Sequence, residues 1–166
     1  SNAVGREVAD CAPLEADAQP IGELSPTGST GWAIPTVDGW WWEGLDRRCI
    51  NSDADCVGLQ VSETHYCTGL YAHAPSALTV TVPEGMGSLR GAVGLQLFGQ
   101  DCSTGARFTI EQDGVVLWES GTLTSYTDAE DMGDVAVSPG ELVLRTHDLG
   151  DLSCDTTSWL DLRLVP

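Results

Sequence analysis

The stretch ARFTIEQDGVVLWES, residues 106–120, limits the fold more than any other part of the chain. Two strand-like runs flank Asp113-Gly114. A two-residue connection between antiparallel strands favours a type I′ turn, which needs positive φ at both central residues, and Asp-Gly is among the pairs that supply it. The spacing predicts a hairpin of 106–112 with 115–120, and with it an antiparallel sheet. Trp118 shares a strand face with Val116 in this reading and is assigned to the core.

Further runs of the same texture lie at 59–61, 77–82, 89–98, 134–138, 141–147 and 158–166. In ALTVTV, Leu78, Val80 and Val82 alternate with Thr79 and Thr81, the period of a half-buried strand. Gly and Pro punctuate these runs, and no sustained 3.6-residue period occurs. Short strands at close spacing predict an antiparallel sandwich or barrel with almost no helix. Residues 1–3, Ser-Asn-Ala, read as a tag remnant. Residues 4–19 lack strand alternation and read as a linker or lead-in. One domain, 20–166, takes up the rest.

The chain has 166 residues and a formal charge of −18, from 25 acids against seven arginines and no lysine. That surface repels phosphate backbones and anionic membranes, so nucleic acid is not expected as a partner. No apolar run is long enough to span a bilayer, so no membrane insertion is expected. The chain is expected to be a monomer. Six cysteines (Cys11, Cys49, Cys56, Cys67, Cys102 and Cys154) include no Cys-x-x-Cys pair and none at zinc-finger spacing from a histidine. An even count fits disulfides and a secreted or cell-surface location, with 15 possible pairings.

No catalytic signature stands out. There is no nucleophile elbow, no phosphate-cradling Gly loop before a helix and no His-Glu-x-x-His. The acidic run TDAEDMGD at 127–134 reads as a solvated loop rather than as facing carboxylates of a hydrolase. Among six tryptophans, Trp40, Trp41 and Trp42 are consecutive, and three neighbours cannot all point inward. At least one is expected at a contact surface, or they plug one end of a sandwich. Sugar recognition needs aromatic faces for the pyranose ring and planar polar groups for its hydroxyls. The chain offers loop aromatics with His65, His73, Asp101, Asp148, Asp151 and Asp155.

A family resemblance sharpens this inventory. LQVSETHYCTGLYAHAPSALTV resembles the NPCBM domain, also classed as carbohydrate-binding module family 51, through Tyr66, Gly69, Leu70, His73, Ala74, Pro75 and Ser76. The order continues with AVGLQLF, then STGARFTIEQDGVVLWESGTLT, ELVLRTHDLGD and DTTSWLDLRL. Upstream, IGELSPTGSTGW is similar to the start of the domain. The resemblance spans about residues 20 to 166, with Cys67 and Tyr71 as departures.

The resemblance implies an all-β fold: an antiparallel, galactose-binding-like β-sandwich of jelly-roll type. It implies a non-catalytic module that recognises glycans, galactose-containing ones among them, beside a catalytic or anchoring domain. The alternative is an extracellular protein-interaction domain that keeps the sandwich without a sugar site. The ligand candidates are His73, Trp32, Trp41, Asp101, Asp155 and Trp159. His73 reads either as a ring tying two loops together or as a donor to a sugar hydroxyl. Trp159 and Asp161 are placed on one strand face, away from core Leu160 and Leu162, so that Trp159 is a rim platform or packs under a loop. Some relatives carry a structural calcium, for which Asp161 and Asp148 are the candidates; turn-stabilising roles are the alternative. In the resembled topology the loops of Cys102 and Cys154 lie at one end, and the hypothesis is that these two pair, that Cys49 closes a small loop with Cys56, and that Cys11 is left with Cys67.

Overall fold

The computed structural model describes residues 13–29, 47–49, 56–66, 68–96 and 103–166, with backbone alone for 47–49 and 56–58. Two antiparallel sheets face each other. In the first, β14 (Thr157–Val165) and β8 (Ser88–Leu95) are central. β1 (Gln19–Pro20) and β6 (Gly69–Tyr71) pair with β14, while β11 (Glu130–Asp131) and β12 (Val135–Ala136) pair with β8. The second sheet runs β10 (Val115–Glu119), β9 (Arg107–Gln112), β13 (Gly140–His147), β7 (Ser76–Val82), β2 (Thr27–Ser29). A smaller sheet of β3 (Arg47–Cys49), β4 (Cys56–Val61) and β5 (Thr64–Tyr66) completes the fold. The predicted all-β sandwich is what forms, and the only helical element among the described residues is a 3₁₀ turn, Ile21–Leu24.

The core follows from the period-2 alternation. Leu78, Val80 and Val82 of β7 and Leu142 and Leu144 of β13 point inward and meet Leu89, Val93 and Leu95 of β8 and Leu162 and Leu164 of β14. Asp113 (φ 53°) and Gly114 (φ 76°) both adopt the left-handed region, as the predicted hairpin requires. A bulge then separates Val116 from Trp118. Trp118 packs against the core as expected, but Val116 is 54% exposed, so the two do not share a buried face.

β14 departs from the expected alternation. Asp161 has φ +49° and sits in a bulge between Leu160 and Arg163. The extra residue resets the faces. Trp159, Leu162 and Leu164 turn into the sandwich, while Leu160 faces outward into a second cluster with Leu59, Val61 and Tyr71. The β4–β5 hairpin thus covers the outer face of the first sheet.

Close approach there depends on Gly69. A Cβ at this position would lie 2.2 Å from the Trp159 carbonyl oxygen and 2.8 Å from Leu59 Cδ1, at φ +144°. Gly69→Ala is expected to destabilise the fold by about 1–2 kcal/mol, through positive φ and the clash with backbone that cannot yield. An unchanged denaturant midpoint would contradict this.

The lead-in is docked rather than free from residue 15 on. Glu15 accepts from Arg163 Nε at 2.7 Å and from Arg90 Nη1 at 2.8 Å, and Gln19–Pro20 pairs with β14. Hydrogen bonds from Arg163, a backbone contact and Arg90 bring the Glu15 carboxyl down to about 2. The acidic run 127–134 is likewise built in, not merely solvated. Glu130 Oε1 accepts from Gly121 N at 3.0 Å, Asp131 Oδ1 from Gly133 N at 2.6 Å, and Asp134 pairs with Arg90.

Candidate functional site

Strand direction gathers the loops at one end. The C-terminal ends of β2, β6, β8 and β13 lie beside the N-terminal ends of β7, β9 and β14, as the pairings Ser29↔Ala77, Tyr71↔Ser158, Leu95↔Thr157, His147↔Arg107 and Thr146↔Ser76 record. Residues 72–75, 103–106 and 148–156 therefore share one rim.

Asp155 joins these three segments. Its carbonyl accepts from Ala74 N at 3.1 Å, and its Oδ1 accepts from Ser103 Oγ at 2.5 Å. Ser103 Oγ in turn accepts from Gly105 N at 3.1 Å. Asp155 is fully buried, and its second oxygen, Oδ2, has no hydrogen-bond partner. Burial first, then the charges of Asp148 and Asp151, push its carboxyl up to about 6, against the hydrogen bond from Ser103. Asp155 thus stands at the rim as expected, but beneath its surface.

His73 is also interior, at 2% exposure. Its Nδ1 lies 2.7 Å from the Ala74 carbonyl, so Nδ1 carries the hydrogen and donates. The ring thus holds its own 72–75 segment through the neighbouring carbonyl. Trp159 is corrected outright as a platform. It has no exposed surface and packs edge-on to Phe108 of the opposite sheet, centroids 5.0 Å apart at 89°. The Asp161 bulge, invisible in the sequence, is what turns it inward. Trp32, Trp41, Asp101, Cys11, Cys67 and Cys102, and the triplet Trp40–Trp42, lie outside the described residues.

The two carboxylates named for calcium do not converge. Asp161 sits mid-strand, where Thr68 Oγ1 donates to its Oδ1 at 3.1 Å. Asp148 stands at the rim with Oδ1 accepting from Gly150 N at 3.1 Å. Asp155, whose carboxyl feels the Asp148 charge, is separated from Asp161 by six residues, about 20 Å of extended chain. Among the described residues no three His, Cys, Asp or Glu side chains are placed to hold a metal ion. These residues do not fit a calcium cage. Cys154, beside Asp155, is disulfide-bonded. Cys49 and Cys56 stand directly opposite in the β3–β4 ladder.

Just below the rim, on the outer side of the second sheet, lies a cavity of about 400 Å³ bounded by Ser29, Pro75, Ala77, Arg145, His147 and Asp148. Neither Arg145 nor His147 was expected there. The outward register of ELVLRTH would have pointed to them, because Leu142 and Leu144 fix which face is buried.

This arrangement has relatives. Residues 29–165 match the family model described as the NPCBM/NEW2 domain. The chain belongs to this NPCBM/NEW2 family. The resemblance read from 20 to 166 is thereby met over nearly its whole span. Alpha-1,3-galactosidase B of Akkermansia muciniphila is 30% identical over 122 residues, which is 71% of this chain and 15% of that protein. The NPCBM chain thus spans about one-seventh of this curated relative. Solved structures share the fold. A CBM51 from a Clostridium perfringens GH95, in complex with methyl-galactose, aligns at TM-score 0.64 and 22% identity, covering 89% of this chain and 99% of that one. Tandem CBM51 modules of a family 98 glycoside hydrolase from Streptococcus pneumoniae align at TM-score 0.70 and 15% identity, over 89% of this chain and 46% of theirs.

Proposed function

We propose that this chain is a non-catalytic carbohydrate-binding module that recognises glycans, galactose-containing ones among them, and holds an attached or partner domain against them. The observation that carries this reading is the family match over 29–165, laid on a sandwich whose strand ends bring residues 72–75, 103–106 and 148–156 to one rim. The relative seen with methyl-galactose and the galactosidase relative support the sugar class. The charge of −18 suits a neutral ligand better than a nucleic acid.

Location outside the cell is supported by the disulfide at Cys154 and by the even number of cysteines. Cys102 is the proposed partner of Cys154. Cys49 and Cys56 are proposed to pair across their ladder, where opposite Cα atoms stand about 4.5–5.5 Å apart, within disulfide range. Cys11 with Cys67 completes the set.

A glycan array probed with the whole chain tests the reading. Binding to galactose-terminated glycans, reversed by free galactose, is expected. Silence across the array would overturn it.

A further inference from the structure

The outer face of the second sheet carries a connected row of polar side chains that the rim residues do not account for. Along β13, Leu142, Leu144 and Thr146 are buried, while Arg145 and His147 point outward. Arg145 Nε donates to Glu111 Oε2 at 2.9 Å, and Nη2 to Oε1 at 3.4 Å. That guanidinium holds the Glu111 carboxyl below its ordinary range, so Glu111 is an anion and can only accept.

The proton positions follow. Thr109 Oγ1 lies 3.2 Å from Glu111 Oε2, so its single hydroxyl hydrogen goes there. Thr109 Oγ1 also lies 2.9 Å from His147 Nε2. Having given its hydrogen away, the hydroxyl must accept, so Nε2 carries the proton. In the neutral ring the other nitrogen, Nδ1, is then a bare acceptor. Among the described residues no hydrogen bond engages His147 Nδ1, Arg145 Nη1 or Asp148 Oδ2.

These three residues line the cavity of about 400 Å³ described above, with Pro75 and Ala77 as its apolar wall. A donor and two acceptors suit adjacent sugar hydroxyls, each of which both gives and takes a hydrogen bond, and the apolar wall suits the C–H face of a ring. The charge argues for a neutral sugar. Arg145 is already balanced by Glu111, and Asp148 would repel a carboxylate or sulfate.

We propose that this cavity is a subsite for a neutral pyranose, with Arg145 donating to its hydroxyls and His147 Nδ1 and Asp148 accepting from them. The inference rests on the glycan-binding reading above and extends it to residues that reading does not name.

Backbone-amide NMR on the ¹⁵N-labelled whole chain tests it, with lactose as the neutral probe and 3′-sialyllactose as the anionic one. Lactose is expected to shift the Ala77, His147 and Asp148 amides. His147→Leu and Arg145→Gln are each expected to weaken binding about tenfold, the loss of one or two ligand hydrogen bonds. Lactose binding with shifts only elsewhere, or with both variants at native affinity, overturns the subsite and leaves the module reading standing. Tighter binding of 3′-sialyllactose than of lactose overturns the neutral class. Silence on the full glycan array removes both proposals together. Should Arg145→Gln fail to fold, the amide map of the native chain and His147→Leu still decide.

Discussion

Trp159→Ala is expected to destabilise the fold by about 3–5 kcal/mol, seen as a large drop in the urea or guanidinium midpoint. Trp159 is fully buried and is the largest such side chain among the described residues. It bridges the sheets through its edge-on contact with Phe108, so neighbours from both layers line the space it would vacate. Strands hydrogen-bonded on both sides cannot shift to fill that space, and the cavity term stays large. Trp159→Phe gives the control. The indole Nε1 is buried without a hydrogen-bond partner, so phenylalanine loses volume but no hydrogen bond. A loss near 1 kcal/mol is expected for Phe. Equal losses for the two variants would contradict the packing account.

The second large effect is a pH dependence set by Asp155. Its carboxyl stands at about 6 in the folded chain against an ordinary value of 3.8. The folded state therefore favours the protonated form. The stability this group contributes is fully present below its unfolded value and is lost as pH rises through about 6. Two pH units correspond to about 2–3 kcal/mol. Glu15 and Glu111, both lowered by arginine partners, act with the opposite sign and lose their contribution as pH falls. The comparison with Asp155→Asn separates them. Asparagine keeps an oxygen for Ser103 and, like the protonated acid, carries no charge. The native chain is expected to match the variant near pH 4 and to fall behind it by about 2–3 kcal/mol by pH 7. Chemical denaturation at both pH values checks this. A native chain that gains on the variant across that interval would overturn the assignment of Asp155 as a buried, raised acid.

Much of the fold is legible in the residues themselves. Asp113-Gly114 announces its turn because few residue pairs tolerate two positive φ values, and β7 and β13 announce their buried faces by alternation. What stays hidden has physical reasons. The Asp161 bulge places an ordinary residue at positive φ within a strand, and nothing nearby marks the break. One undetected residue moved Trp159 from the rim to the core. The Ser62 turn between β4 and β5 contains no glycine to signal it. β1 is two residues long, too short to alternate. At the site, the family motif located the rim through His73 and Asp155, but their burial depends on how three loops close over each other. Arg145 and His147 were readable from the strand register, yet motifs drew attention to loops instead of to the sheet below them.

The docked lead-in bears on where the folding unit begins. The family match starts at residue 29, yet buried Ile21, the β1 pairing and the Glu15 bridge to two arginines all lie upstream of it. A piece excised at the matched boundary would uncover one flank of β14, the strand that serves both hydrophobic clusters, and would strand Arg90 and Arg163 without their shared carboxylate. The autonomous unit is therefore longer at its N-terminal side than the recognisable one, and any graft of it onto a different protein has to carry the chain from before Glu15.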